Sequence, residues 1–93
     1  MQLPINYETA HPSVRKKARE AYVIQQKGMC YWCDEPLTGK PAKSVRNLTV
    51  NWSLFPPHFL KHPVHLQHCH DTGMSEGAVH ALCNAVMWDH FGR

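Results

Sequence analysis

Long apolar runs are missing from this chain. No stretch approaches the ~20 consecutive apolar residues that cross a bilayer, so no transmembrane helix is predicted. The opening segment, Met1 to Glu8, carries neither a basic n-region nor an apolar h-region. No signal peptide is read there, and the expected location is the cytoplasm. Internal repeats and low-complexity tracts are absent as well, which excludes solenoid and linker-type architectures. Acid is scarce: seven Asp and Glu stand against ten Lys and Arg, for a formal charge of +3. That balance suits a polyanionic partner without requiring one.

A chain of 93 residues is expected to form one domain, spanning 1–93. Folding at this length buries only roughly 60–65 % of the surface that the unfolded chain exposes. Seven prolines and five glycines break up what apolar pattern there is. Small scaffolds of this kind often need a staple beyond the core.

The cysteines offer one. Thiols stay reduced in the cytoplasm, so paired cysteines there point to metal rather than to a disulfide. Cys30-x-x-Cys33 and His80-x-x-Cys83 each place two ligands on a short turn. Zinc takes four such thiolate and imidazole donors tetrahedrally. Joining the pairs closes a loop of 46 intervening residues. The length-dependent cost is about 3–4 kcal/mol, against roughly 10–16 kcal/mol from zinc in small finger domains. Cys30, Cys33, His80 and Cys83 are therefore read as one structural zinc site, and Cys69 as a free, partly buried thiol.

Residues 1–12 read as an extended arm. Ser13 is a plausible N-cap for a helix from about Val14 to Lys27, with Val14, Ala18, Ala21, Tyr22 and Ile24 as its apolar stripe and Gly28 as its stop. Arg15, Lys16 and Arg19 crowd its first turns, against the preference of the helix dipole. With Lys43 and Arg46 they are candidate phosphate contacts, or else a solvated face. Ser44 to Leu54 alternates loosely and predicts a strand or hairpin arm. His65 to His68 predicts a second strand, 71–77 a turn-rich link, and Val79 onward a helix with Leu82, Val86 and Phe91 on one face. Alternation about Cys69 puts His68 and His70 on a common face. The aromatic residues Trp32, Trp52, Trp88, Tyr22 and Phe55 are expected mainly in the core. The order of elements defines an α+β class.

Four blocks in order carry a resemblance: Gly28-Met29-Cys30-Tyr31-Trp32-Cys33, then Gln67-His68-Cys69-His70, then Gly73, then Glu76-Gly77-Ala78-Val79-His80-Ala81-Leu82-Cys83-Asn84. This order is similar to the bacteriophage recombination endonuclease VII family, a branch of the HNH (ββα-metal, His-Me finger) endonucleases. That family reads G-x-C-x-x-C, D-H-x-H, a Gly-containing link, and R-G-L-L-C-x-x-C-N. The resemblance covers about residues 14–90 and leaves 34–64 as an insertion. It implies a small zinc-stabilised ββα-metal fold preceded by an N-terminal helix, located in the host cell's cytoplasm if a phage encodes it. It also implies hydrolysis of duplex or branched DNA. By position, His68 is the general base, Asn84 the ligand of a catalytic Mg²⁺ or Mn²⁺, and His70 an aid to that ion or to the scissile phosphate. His80 stands where the family has cysteine, and Glu76 where it has arginine. Gln67 replaces the family's metal-binding aspartate, which removes a negative ligand.

The chemistry holds together on the residues themselves. Phosphodiester hydrolysis needs a deprotonated water, and a neutral histidine with an ordinary pKa near 6.5 suits that role. Two other classes stay open. One is a degenerate scaffold that binds nucleic acid or a host protein without cutting. The other is docking through the insertion at 44–62, where Trp52, Leu54, Phe55 and Phe59 form an exposed-looking surface. A monomer is expected, with a homodimer as the alternative.

Overall fold

The first helix, α1 (Pro12–Gln25), is set by its entry and exit. Its N-cap is His11 rather than Ser13: the His11 Nδ1 accepts the Ser13 N–H at 3.1 Å, and Pro12 fills the first helical position. A ring nitrogen here does what a hydroxyl does in commoner caps. At the other end Lys27 (φ +57°) and Gly28 (φ +77°) turn the chain left-handed. The Gly28 N–H closes on the Val23 carbonyl at 2.8 Å, which ends the helix. Ala18 and Tyr22 are buried as the stripe predicts, whereas Ile24 is 79 % exposed.

A computed structural model describes all 93 residues. Beyond α1 come a short helix α2 (Lys43–Arg46), a 3₁₀ turn (Trp52–Leu54), the hairpin β1 (Val64–His68) and β2 (Ser75–His80), and the helix α3 (Ala81–Phe91). The two strands form the whole sheet, antiparallel. The element order from β1 onward is thus strand, strand, helix, within a small α+β fold. No helix is long and apolar enough to cross a membrane.

Two expectations fail here. The strand or hairpin arm at 44–54 is α2 and a 3₁₀ turn. Of its alternating residues only Val45 and Val50 are buried. Asn51 starts the 3₁₀ turn by accepting the Ser53 N–H at 3.2 Å. A strand needs a partner edge, and β-propensity without one is weak. The link at 71–77 is half strand: β2 begins at Ser75, and the last helix starts at Ala81 rather than Val79. Ser75, Gly77, Ala78, Val79 and His80 of β2 are all buried, so no alternation marks it.

Register pairs Val64 with His80, Leu66 with Ala78 and Gln67 with Gly77, after which a bulge lets His68 pair with Ser75. Glu76 is the extra residue, and the bulge re-aims the side chains at the end of the hairpin. The arm 1–12 docks along this end. Ser75 N–H donates to the Ile5 carbonyl and Tyr7 N–H to the Gly73 carbonyl, both at 2.8 Å. The core sits between α1, the hairpin and α3, around Ala18, Tyr22, Leu66, Val79, Val86 and Met87. The radius of gyration, 12.6 Å, matches the roughly 12 Å of a compact chain this long.

Candidate metal centre and the adjoining cleft

Cys30 and Cys33 sit on a tight turn, in which the Asp34 N–H returns to the Cys30 carbonyl at 3.1 Å and Asp34 takes φ +63°. The turn hangs on β2, because the Tyr31 N–H donates to the Ala78 carbonyl at 2.9 Å. Gln26 anchors the same place. Its side-chain amide donates to the Ala78 carbonyl and accepts the Ala78 N–H, each at 2.9 Å, as a neighbouring strand would. His80 ends β2 and Cys83 lies in the first turn of α3, so the hairpin–helix junction supplies the second pair.

The four donor atoms lie within 4.8 Å of one another, forming a Cys₃His cluster. Zn–S and Zn–N bonds of about 2.3 and 2.05 Å at the tetrahedral angle put S and N about 3.6 Å apart. The Cys33 and Cys83 sulfurs stand 3.5 and 3.6 Å from His80 Nδ1. His80 Nε2–H donates to the Pro36 carbonyl at 2.9 Å, which leaves Nδ1 as the lone-pair nitrogen. The Trp32 N–H points at the Cys30 sulfur at 3.4 Å. The Cys30 thiol is held below its ordinary range, first by the hydrogen bond with Cys83. Cys83 is driven above it by that same shared proton and by burial. Sulfurs this close cannot all be thiolates without a cation among them, and the cluster is compatible with a structural zinc ion. Cys69 is half-buried and stands outside it, as expected.

The catalytic positions implied by the resemblance gather less completely. A cleft of about 560 Å³ runs along β1, between the arm, α1, the 54–62 segment and α3. His68, His70 and Asn84 all line it, with Arg15 and Arg19 from α1. Lys16, Lys43 and Arg46 do not, and the Arg46 Nε–H is turned to the Pro41 carbonyl at 3.0 Å. His68 stacks face to face on Tyr7, with ring centres 4.1 Å apart and planes 4° apart. The Arg15 guanidinium lies over the Tyr7 ring at 4.1 Å. His70 follows at 4.8 Å from His68, on the common face that alternation predicts. Burial lowers the His68 pKa, and the neighbouring His70 lowers it further, against the opposing pull of Glu8 and Glu76.

Gln67 does not join them. It is 1 % exposed, its Nε2–H donates to the His68 carbonyl at 2.9 Å, and its Oε1 has no partner. It lines a separate cavity of about 160 Å³ with Cys69, Asp71 and Glu76, which His70 also borders. Asn84 instead meets His65: its Nδ2–H donates to His65 Nδ1 at 3.1 Å, while His65 Nε2–H donates to the Phe59 carbonyl at 3.0 Å. The two positions that the resemblance assigns to one ion therefore border different cavities. No carboxylate lines the larger cleft.

Sequence reasoning missed Tyr7, His65, His58, His62 and the exposure of Trp88. His65 shares the strand of His68, which was a usable signal; Tyr7 gave none, since only the docked arm brings it there. Trp52 and Trp88, expected in the core, are exposed, whereas Tyr22 is buried. Asp89 and His90 clamp the 49–51 loop to α3: the Asn51 N–H donates to Asp89 at 3.0 Å and His90 Nε2–H to the Thr49 carbonyl at 2.6 Å.

Compared with protein-family models, curated proteins and solved structures, the chain matches none.

Proposed function

We propose that the protein is a metal-dependent DNA endonuclease of the HNH type, with a structural zinc ion at Cys30, Cys33, His80 and Cys83. One observation carries the reading. His68, at the end of β1, is a histidine biased toward its neutral form inside a cleft that also holds Asn84 and two arginines. Neutral imidazole is the form that accepts a proton from water. In hydrolysis His68 takes that proton, the hydroxide oxygen bonds phosphorus, and the bond to the leaving sugar oxygen breaks, with solvent returning a proton to it. Arg15 and Arg19 offset phosphate charge. The zinc cluster locks the hairpin to α3 and so holds Asn84 near the strand bearing His68.

The donor set allows a weakly held divalent ion. Asn84 would supply an oxygen ligand and His70, which lines the same cleft, an imidazole. With no carboxylate in the cleft, these residues would hold Mg²⁺ or Mn²⁺ weakly without further oxygen donors from the substrate. Such an ion supplies charge stabilisation at phosphorus. The same lack of a carboxylate favours a second reading, a zinc-stabilised DNA-binding scaffold that does not cut.

A plasmid-nicking assay separates them. Zinc-loaded wild type is expected to nick in Mg²⁺ or Mn²⁺ and His68→Ala to lose at least about 100-fold in rate. No cleavage under any divalent ion removes the enzyme reading. Equal rates in the two proteins remove His68 as base.

A further inference from the structure

Two ladders of rings run along the cleft, all of their rings but Trp52 lining it. One runs Tyr7, His68, His70, Trp88, with successive centres 4.1, 4.8 and 4.6 Å apart. The other runs Trp52, Phe55, Phe59, His65, at 5.8, 4.6 and 4.6 Å. Trp88 ends the first ladder on α3, lines the cleft and is 42 % exposed. What sets Trp88 apart from the chain's other exposed apolar side chains is that it lines the cleft and continues a stack of rings, so a planar ligand there has ring surface to meet.

The charge pattern narrows the choice of ligand. The cleft holds only two permanent cations, Arg15 and Arg19, and no anion. Both guanidinium groups belong to half-buried side chains, and the Arg15 Nε–H already donates to the Tyr7 carbonyl at 2.8 Å. A protein gripping duplex DNA through its backbone makes many more phosphate contacts, about 6–10 in well-studied cases. A duplex also hides the faces of its bases against one another, so an open indole gains nothing from it. An unpaired strand presents both a phosphate and a bare base face, and every base stacks on an aromatic ring. A cavity of about 560 Å³ is in the range of sites that enclose a small-molecule-sized ligand.

We propose that this cleft takes an unpaired segment of DNA strand, with a base stacked on Trp88 and a phosphate of a neighbouring nucleotide in the same strand against Arg15 and Arg19. This names the substrate form for the nuclease reading and rests on that reading. Trp88 is a binding residue that selects strands whose bases are open.

The test is anisotropy with short labelled DNAs, without added Mg²⁺ or Mn²⁺, on zinc-loaded wild type, W88A and W88F. The DNAs are oligothymidylate, an abasic strand of equal length and a blunt duplex. Wild type is expected to bind oligothymidylate at least about ten-fold tighter than either other DNA, and W88A to lose about 5- to 150-fold on oligothymidylate alone, with W88F recovering most of it. Equal binding of duplex or abasic strand overturns the proposal, as does W88A binding like wild type. Because Trp88 is solvent-exposed, W88A is expected to keep its fold, and W88F keeps a ring at the site in any case. Adding Mn²⁺ to the same DNAs separates the two readings. Cleavage of duplex without strand preference overturns the stacking proposal and leaves the nuclease. Trp88-dependent strand binding with no cleavage leaves the stacking site and removes the nuclease.

Discussion

Chelation of a zinc ion at the Cys₃His cluster would be the sharpest perturbation of this fold. A chain of 93 residues has a net stability of roughly 5–14 kcal/mol at the usual 0.05–0.15 kcal/mol per residue. Zinc in comparable finger sites contributes about 10–16 kcal/mol. A zinc ion's share would be comparable with the whole, so the metal-free protein is expected to keep little folded state. The geometry says why. The cluster brings the Cys30–Cys33 turn to the junction between β2 and α3, and the Cys33–His80 contact spans 47 positions. Closing such a loop costs about 3.4 kcal/mol, which the metal offsets several times over. Chelator titration followed by far-UV circular dichroism and native mass spectrometry is expected to show loss of one zinc and of helix together. His80→Cys keeps four donors and is expected to retain the ion. Cys69→Ser is expected to behave as wild type, because Cys69 lies outside the cluster. A metal-free protein with an unchanged spectrum and a cooperative melt would refute the staple. Loss of zinc from Cys69→Ser would refute the ligand set.

Acid should weaken the fold through His65 and His68. Both pKa values are lowered from their ordinary 6.5, chiefly by burial, so the unfolded chain binds protons first. Their contribution is complete above about pH 6.5 and is lost as pH falls toward the folded values. The melting temperature should drop over that window, and His65→Gln should flatten the slope. Gly77→Ala places a Cβ 2.6 Å from Tyr31 Cγ, and the backbone of the zinc turn must give way. Overpacking of this kind costs about 1–3 kcal/mol, measurable by urea denaturation with a parallel fall in zinc affinity. Gln67→Glu buries a carboxylate against the His68 carbonyl where an acceptor already lacks a partner, at a cost of about 3 kcal/mol or more. Gln67→Met removes the orphan acceptor but also the donor to the His68 carbonyl, and should cost about 1–3 kcal/mol, less than Gln67→Glu. Matching losses for the two would refute the burial argument.

What the sequence determines by itself is local. Cys30 and Cys33, like His80 and Cys83, sit three positions apart on one turn, and their donor chemistry identifies the cluster before any folding is known. The α1 stripe of Ala18 and Tyr22, the stop at Gly28 and the strand at 64–68 are legible for the same reason: each is a periodicity or a backbone preference over a few residues. Only the tertiary structure decides the rest. β2 carries no visible period because it is buried on both faces. The alternation at 44–54 predicts a strand, but the segment pairs with neither strand of the sheet and forms α2 and a 3₁₀ turn. Tyr7 reaches His68 through an arm held to the hairpin by backbone bonds at Gly73 and Ser75. Above all, the resemblance puts Gln67, in place of the family's metal-binding aspartate, beside the site of Asn84, and the structure parts the two. The strand's alternation and the bulge beside Glu76 bury Gln67 and leave Asn84 in the cleft with His65, a separation that depends on pairing across the hairpin and not on any run of neighbouring residues.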